Sequence, residues 1–77
     1  MLQAYVLIQA QIGAASEVGR AVSTIEGVRE AVVVTGPYDV IARAEASDMD
    51  ELGRLVLSRI QGIQGITRTL TCPVVRL

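Results

Sequence analysis

One short segment collects the residue types that could hold a small polar molecule: Val34-Thr35-Gly36-Pro37-Tyr38-Asp39-Val40. A β-branched run, Ala31-Val32-Val33-Val34, leads into it, and Val40-Ile41-Ala42 leads out. Gly tolerates positive φ and Pro holds φ near about −65°, so Gly-Pro between two such runs predicts a hairpin turn. That turn presents Tyr38, Asp39 and bare backbone N–H groups at its tip. A carboxylate there can receive an ammonium group. The neighbouring N–H groups of Gly36 and Tyr38 can cradle a carboxylate, as successive turn amides do. The segment is thus a candidate site for a small zwitterion, with Thr35 beside it. Asp39 also has a local alternative, in which it bonds nearby backbone and shapes the hairpin. A second candidate is Thr67-Arg68-Thr69-Leu70-Thr71. Strict alternation puts its three hydroxyls on one strand face. They either fix a polar ligand at a subunit seam or serve as good β formers with cross-strand bonds.

Little else in the chain suits chemistry. There is no His for proton transfer, no Lys for a Schiff base and no Ser in a nucleophile-elbow pattern. Asp48, Asp50 and Glu51 cluster where a helix begins, and acids there complement the helix dipole. Gly62-Ile63-Gln64-Gly65 lacks the Lys-Ser/Thr of a phosphate loop, so it reads as a helix exit. Cys72 is the one cysteine, so no intrachain disulfide forms, and it is expected as a small buried strand residue. Without His or a second Cys, no zinc or iron–sulfur site is predicted, and no cofactor.

Composition bounds the partners. The chain has 77 residues, 51% of them hydrophobic, and a net charge of −1. So short a domain buries only about 60% of its unfolded surface and is marginal alone. With so much apolar sequence, part of its surface is expected to close against another copy. All seven cationic residues are Arg, scattered at 20, 29, 43, 54, 59, 68 and 76. They form no basic stripe, which argues against nucleic-acid binding. The apolar run Ala4-Tyr5-Val6-Leu7-Ile8 is too short to span a membrane, and no basic region precedes it as in a signal peptide. The expected location is the cytoplasm.

The elements that must position these residues follow a faint repeat. Val18, Val22, Ile25, Gly27 and Val28 recur as Val56, Ile60, Ile63, Gly65 and Ile66. Each copy is a helical stripe running into a strand, Glu30 to Thr35 and Thr67 to Val75. Each is preceded by a strand candidate, Ala4 to Ala10 and Val40 to Ala46. Ser47 reads as the cap of the second helix, ahead of its acids. Gly19 and Gly53 lie inside the helices at a cost of about 1 kcal/mol each against Ala, so close approach of neighbouring elements is expected there. Two right-handed β-α-β halves give an α+β ferredoxin-like βαββαβ sandwich, a four-stranded antiparallel sheet with both helices on one face. Val6, Ile8, Ala10, Val40, Ala42 and Ala44 are assigned to the helix side. Tyr5, Leu7, Gln9, Ile41, Arg43, Glu45, Thr67, Thr69 and Thr71 are assigned to the other. A face so mixed predicts a sheet-to-sheet dimer.

The order Gly-Val, valine-rich strand, Gly-Pro-Tyr-Asp, second strand resembles the effector domain of the Lrp/AsnC regulators, also called the RAM domain. Ile60-Gln61-Gly62-Ile63-Gln64-Gly65-Ile66-Thr67-Arg68-Thr69-Leu70-Thr71 is similar to that family's helix exit and last strand, and the resemblance runs from Leu2 to about Val75. It implies homodimers paired through their sheets, rings of such dimers, and an amino-acid effector between neighbouring dimers. It implies ligand contacts from Thr35, Gly36, Tyr38 and Asp39 on the hairpin and from Thr69 and Thr71 on the last strand, with Thr67 beside them. Members of the family carry a helix-turn-helix before this module. Here the first strand begins within a few residues of Met1, so a stand-alone domain over 1–77 without direct DNA binding is expected. The reading that follows is a non-enzymatic sensor acting through its own assembly or through a full-length Lrp/AsnC regulator. The rivals are a ligand-independent structural oligomerisation subunit and a small ferredoxin-like enzyme. Pro73 near the chain end would guard an edge strand against open pairing.

Overall fold

The computed structural model describes residues 1–76. Its elements are β1 (Leu2–Ala10), α1 (Ala15–Ser23), β2 (Val28–Val33), β3 (Val40–Ala46), α2 (Met49–Arg54) and β4 (Ile66–Pro73). Helix α2 runs without a break into a π-helical segment, Leu55–Ile60. The strands form one antiparallel sheet in the order β2-β3-β1-β4, which is the ferredoxin-like arrangement. Strand β2 starts at Val28 and stops at Val33, two residues before each predicted limit.

One core lies between the sheet and both helices. Val6, Ile8 and Val40 of the sheet are fully buried against Val18 and Val22 of α1 and Leu52 and Ile60 of the second helix. Each such side chain contributes about 1.5–3 kcal/mol on leaving water. Ala42, Ala44 and Ala46 continue the buried face of β3, and small side chains there let the helices sit close. Gly19 marks the closest approach: a Cβ there would lie 2.9 Å from Val33 Cγ2. Gly53 does not follow that logic, because open space surrounds it.

The internal repeat is real in three dimensions. The α1–β2 turn and the turn into β4 each place a glycine at positive φ, Gly27 at 98° and Gly65 at 100°. Each turn also closes with the same bond, Val28 N–H to Ile25 O at 3.0 Å and Ile66 N–H to Ile63 O at 3.4 Å. Each glycine carbonyl then accepts from a backbone N–H at the end of a central strand, Gly27 O from Glu45 near the end of β3 and Gly65 O from Gln11 just past β1, both at 2.8 Å. The second helix is capped one residue later than predicted. Asp48 Oδ1 accepts from the Glu51 N–H at 2.8 Å, and Glu51 Oε1 accepts from the Ser47 N–H at 2.9 Å. Aspartate at the cap brings a full charge to the helix N-terminus, which Ser47 could not.

The outer sheet face is built in rows. Val32, Ile41, Leu7 and Leu70 pair successively across all four strands, giving one apolar band. Val32 and Leu70 are each 43% exposed. Beside the band run Glu30, Arg43, Tyr5 and Cys72, and beyond them Glu45 and Gln3. Cys72 is exposed rather than buried, because its partner Tyr5 faces away from the helices.

Candidate functional site

The hairpin between β2 and β3 is held by three bonds to the end of β1. Asp39 N–H donates to Ile8 O at 2.8 Å, and Gln9 Nε2 donates to Pro37 O at 2.8 Å. Asp39 Oδ2 accepts from the Ala10 N–H at 2.8 Å. The Asp39 carboxylate therefore has a structural role, satisfying a strand-end donor that β3 no longer reaches. That leaves Oδ1 without a protein donor among the described residues. Val34 N–H closes the loop onto Asp39 O at 2.8 Å. Gly36 stands at φ 133° with open space around its Cα, and Thr35 and Gly36 are exposed. Tyr38 is half-buried beside them. Thr35, Gly36, Tyr38 and Asp39 thus share one open tip.

The last-strand threonines lie elsewhere. Thr69 pairs with Ile8 and Thr71 with Val6, and both partners are core residues. Paired residues in a sheet share a face, so Thr69 and Thr71 point to the helix side and not to the outer face assigned to them. Strand alternation alone has no way to choose between the two faces. The register shift between Gln9 and Ala10 removes Thr67 from the row, and its hydroxyl donates to Gln9 O at 3.2 Å. Thr69 and Thr71 instead floor an open groove of about 310 Å³ under the second helix, with Leu52, Gly53, Val56 and Leu57 along its sides. Gln61 Nε2 donates to Thr69 Oγ1 at 2.8 Å. Within one chain, β1 separates this groove from the hairpin tip. The two halves of the candidate site do not meet.

A feature without a sequence signal sits at the opposite end of β3. A cleft of about 290 Å³ is lined by charged groups from the α1–β2 turn and the second helix, among them Glu26, Glu51, Arg54 and Arg59. Glu45 closes one side of it. Hydrogen bonds from Gln3 Nε2 at 3.0 Å and Arg29 Nε at 2.8 Å hold the Glu45 carboxyl below its ordinary range, and the Arg29 and Arg43 charges add to this. Glu51, Arg54, Leu55, Ser58 and Arg59 follow the i, i+3, i+4, i+7, i+8 spacing of one helix side, with Arg54 and Arg59 at its two borders, so no motif marks the two arginines as a pair. Among the described residues there is no cluster of three potential metal ligands, and no helix is long and apolar enough to cross a membrane.

Comparison with known proteins brings in the wider family. A profile of the Lrp/AsnC ligand-binding domain matches residues 3–77. The homocitrate synthase of Sulfolobus acidocaldarius is 36% identical over 61 residues, 79% of this chain and 13% of that protein. An uncharacterised HTH-type transcriptional regulator of Pyrococcus horikoshii is 34% identical over 55 residues, 71% of this chain and 37% of its own length. The chain therefore spans well under half of the curated relatives it matches. Among solved structures, a protein from Thermus thermophilus superposes with a TM-score of 0.93 at 34% identity, covering 100% of this chain and 96% of that one. An L-Met complex of a transcriptional regulator from Neisseria meningitidis shares the fold, with a TM-score of 0.85 at 22% identity, over 97% of this chain and 50% of that one.

Proposed function

This chain belongs to the Lrp/AsnC ligand-binding domain family, and from that premise we propose that it is a non-enzymatic sensor of amino acids, completed by assembly of several copies. The observation that carries the reading is the division of its polar groups. The hairpin tip offers Gly36, Tyr38 and the free oxygen of Asp39, while Thr69 and Thr71 open onto a separate groove. Each is half a site. A neighbouring chain that brings its tip to this chain's groove region supplies what one chain lacks.

The outer sheet face supports the first step of that assembly. The band of Val32, Ile41, Leu7 and Leu70 is apolar, with the row of Glu30 and Arg43 along one side and Gln9 paired with Arg68 along the other, the pattern of an interface core with a polar rim. Two such faces pair as a homodimer, and dimers then meet through their hairpins. An amino acid at the seam stabilises whichever assembly state completes its site. The relatives supply the output. A homocitrate synthase and a helix-turn-helix regulator each contain a stretch like this chain within a longer protein. This domain is read as acting in the same way on a partner, most simply a full-length Lrp/AsnC-type regulator sharing the same interfaces. The L-Met complex of the Neisseria meningitidis regulator motivates amino acids as effectors.

Light scattering of the purified chain, alone and with each of the twenty amino acids, tests the proposal. A change of mass with one amino acid or a related few is the expected outcome. A stable assembly that ignores all twenty overturns the sensor and leaves a structural subunit.

A further inference from the structure

The charged cleft at the Glu45 end of β3 is distinct from the hairpin tip, because the two stand at opposite ends of a strand about 20 Å long. We propose that this cleft is a second binding site, complete within one chain, for a zwitterionic α-amino acid, with Arg54 and Arg59 holding the carboxylate and Glu26 and Glu51 facing the ammonium group.

The first argument is the shape of the second helix. On an α-helix, residues five apart point about 140° away from each other. Here the backbone widens into a π turn over Leu55–Ile60, and Gln61 N–H bonds Val56 O, five residues back, at 2.9 Å. Glu51, Arg54, Leu55, Ser58 and Arg59 all line the cleft, so one side of the second helix carries both arginines, with Ser58 between them. The π turn lies within this wall of the cleft, and single π turns recur at functional sites.

The second argument is that the pair is uncommitted. The ion pairs among the described residues are Arg29 with Glu45 and Arg43 with Glu30. Arg59 donates only to the Glu26 backbone carbonyl, at 3.3 Å. A guanidinium pair that has not met a protein carboxylate is suited to a ligand carboxylate, which two planar forks can take in bidentate fashion. Among the other lining residues, Glu51 spends Oε1 on the Ser47 N–H and keeps its other oxygen free, and Glu26 is exposed. Two cations against two free carboxylates balance a zwitterion. A bare anion meets the two glutamates, and a bare amine meets the two arginines. The volume, about 290 Å³, stands at the small end of ligand pockets, which suits an amino acid.

The test is an amide NMR titration of the full chain with each of the twenty L-amino acids, read at Gly27 and Ser58. At least one amino acid is expected to shift both amides saturably. Arg54→Ala and Arg59→Ala are each expected to weaken that binding at least tenfold. The decarboxylated amine and the 2-oxo acid of the same compound are expected to bind at least tenfold more weakly. Asp39→Asn is expected to keep a saturable response at Gly27 and Ser58, so failure of the hairpin reading, seen at the Gly36 and Asp39 amides, is separable from failure here. Silence of Gly27 and Ser58 toward all twenty overturns the proposal. So does binding that survives Arg54→Ala and Arg59→Ala, or that the amine or 2-oxo acid matches.

Discussion

Replacing Asp39 by Asn separates the two roles open to this side chain. In the native chain, Oδ2 accepts the Ala10 N–H at 2.8 Å in a part-buried setting, and Oδ1 is left for a ligand. Hydrogen bonds to a charged group contribute about 1.5–3 kcal/mol, and neutral ones about 0.5–1.5 kcal/mol. Asn keeps an acceptor oxygen for Ala10, so the domain should lose only about 1 kcal/mol of stability. Ala keeps none, and an orphaned Ala10 N–H should cost about 1–3 kcal/mol. For binding the order of importance reverses. An α-ammonium group loses its charged partner in both variants, a loss of about 1.5–3 kcal/mol, or roughly 10- to 150-fold in affinity. Urea unfolding and calorimetric titration with the amino acid that changes the assembly measure the two effects separately. The expected result is Asn near wild type in stability and equal to Ala in lost affinity. If Asn binds as tightly as Asp, the carboxylate does not receive the ligand, and Asp39 is only the cap of β1. If Ala unfolds at the wild-type midpoint, the Ala10 bond carries no weight, and the account of how the hairpin is held is wrong.

Three further outcomes follow from the fold. Gly53→Ala should raise stability by about 0.5–1 kcal/mol, since a methyl there meets nothing within 4 Å, whereas Gly19→Ala should lower it because Val33 Cγ2 lies 2.9 Å from the new methyl; urea midpoints of the two variants decide it. Leu70→Asp puts a charge into the outer apolar band, beside Leu7, and should leave a folded monomer by sedimentation, while an unchanged dimer would remove that face from the interface. Glu45, whose folded carboxyl titrates below its ordinary range, contributes stability above its unfolded pKa and loses it as pH falls through the lower folded value. The acid limb of the stability–pH curve should therefore flatten in Glu45→Gln, and an unaltered limb would show that Gln3 and Arg29 do not favour its ionised form.

Much of the fold was legible because its signals are local. The recurrence of Val18, Val22, Ile25, Gly27 and Val28 as Val56, Ile60, Ile63, Gly65 and Ile66 is enough to imply two equivalent halves, and the matching turn bonds at Gly27 and Gly65 are its physical content. The helix-side parity of Val6, Ile8, Val40, Ala42 and Ala44 followed from alternation in strands whose buried members are apolar. The threonines of β4 escaped that reasoning. Thr69 and Thr71 alternate with Arg68, Leu70 and Cys72, so neither set is plainly the core set, and β4 is an edge strand whose inward residues are only partly covered. Only the pairing with Val6 and Ile8 settles the side. The tip residues Thr35, Gly36, Tyr38 and Asp39 were legible as a turn, since Gly-Pro announces one. What Asp39 bonds was not, because Ala10 is 29 residues distant in sequence.

The π turn was illegible for a different reason, and it bears on how the two ends of the molecule differ. The repeat asks for equivalent helices, yet α1 is a plain α-helix pressed against the sheet at Gly19, while the second helix is widened over Leu55–Ile60. An α-helix carrying Leu52, Leu55 and Val56 inward meets Ile60 in register without help, so the hydrophobic pattern contains no demand for an extra residue. The departure from the repeat lies between the apolar groove, which Val56 and Leu57 line, and the charged cleft, which Leu55, Ser58 and Arg59 line. A helix segment that borders both cannot change its winding without altering both walls. Any ligand that favours one winding must therefore change the groove as well as the cleft, and linkage requires that an occupant of the groove change the affinity of the cleft by the same factor. Measured affinities of the cleft in the monomeric Leu70→Asp chain and in the native assembly provide that comparison. Equal values would show that the winding is rigid and that the two sites act alone.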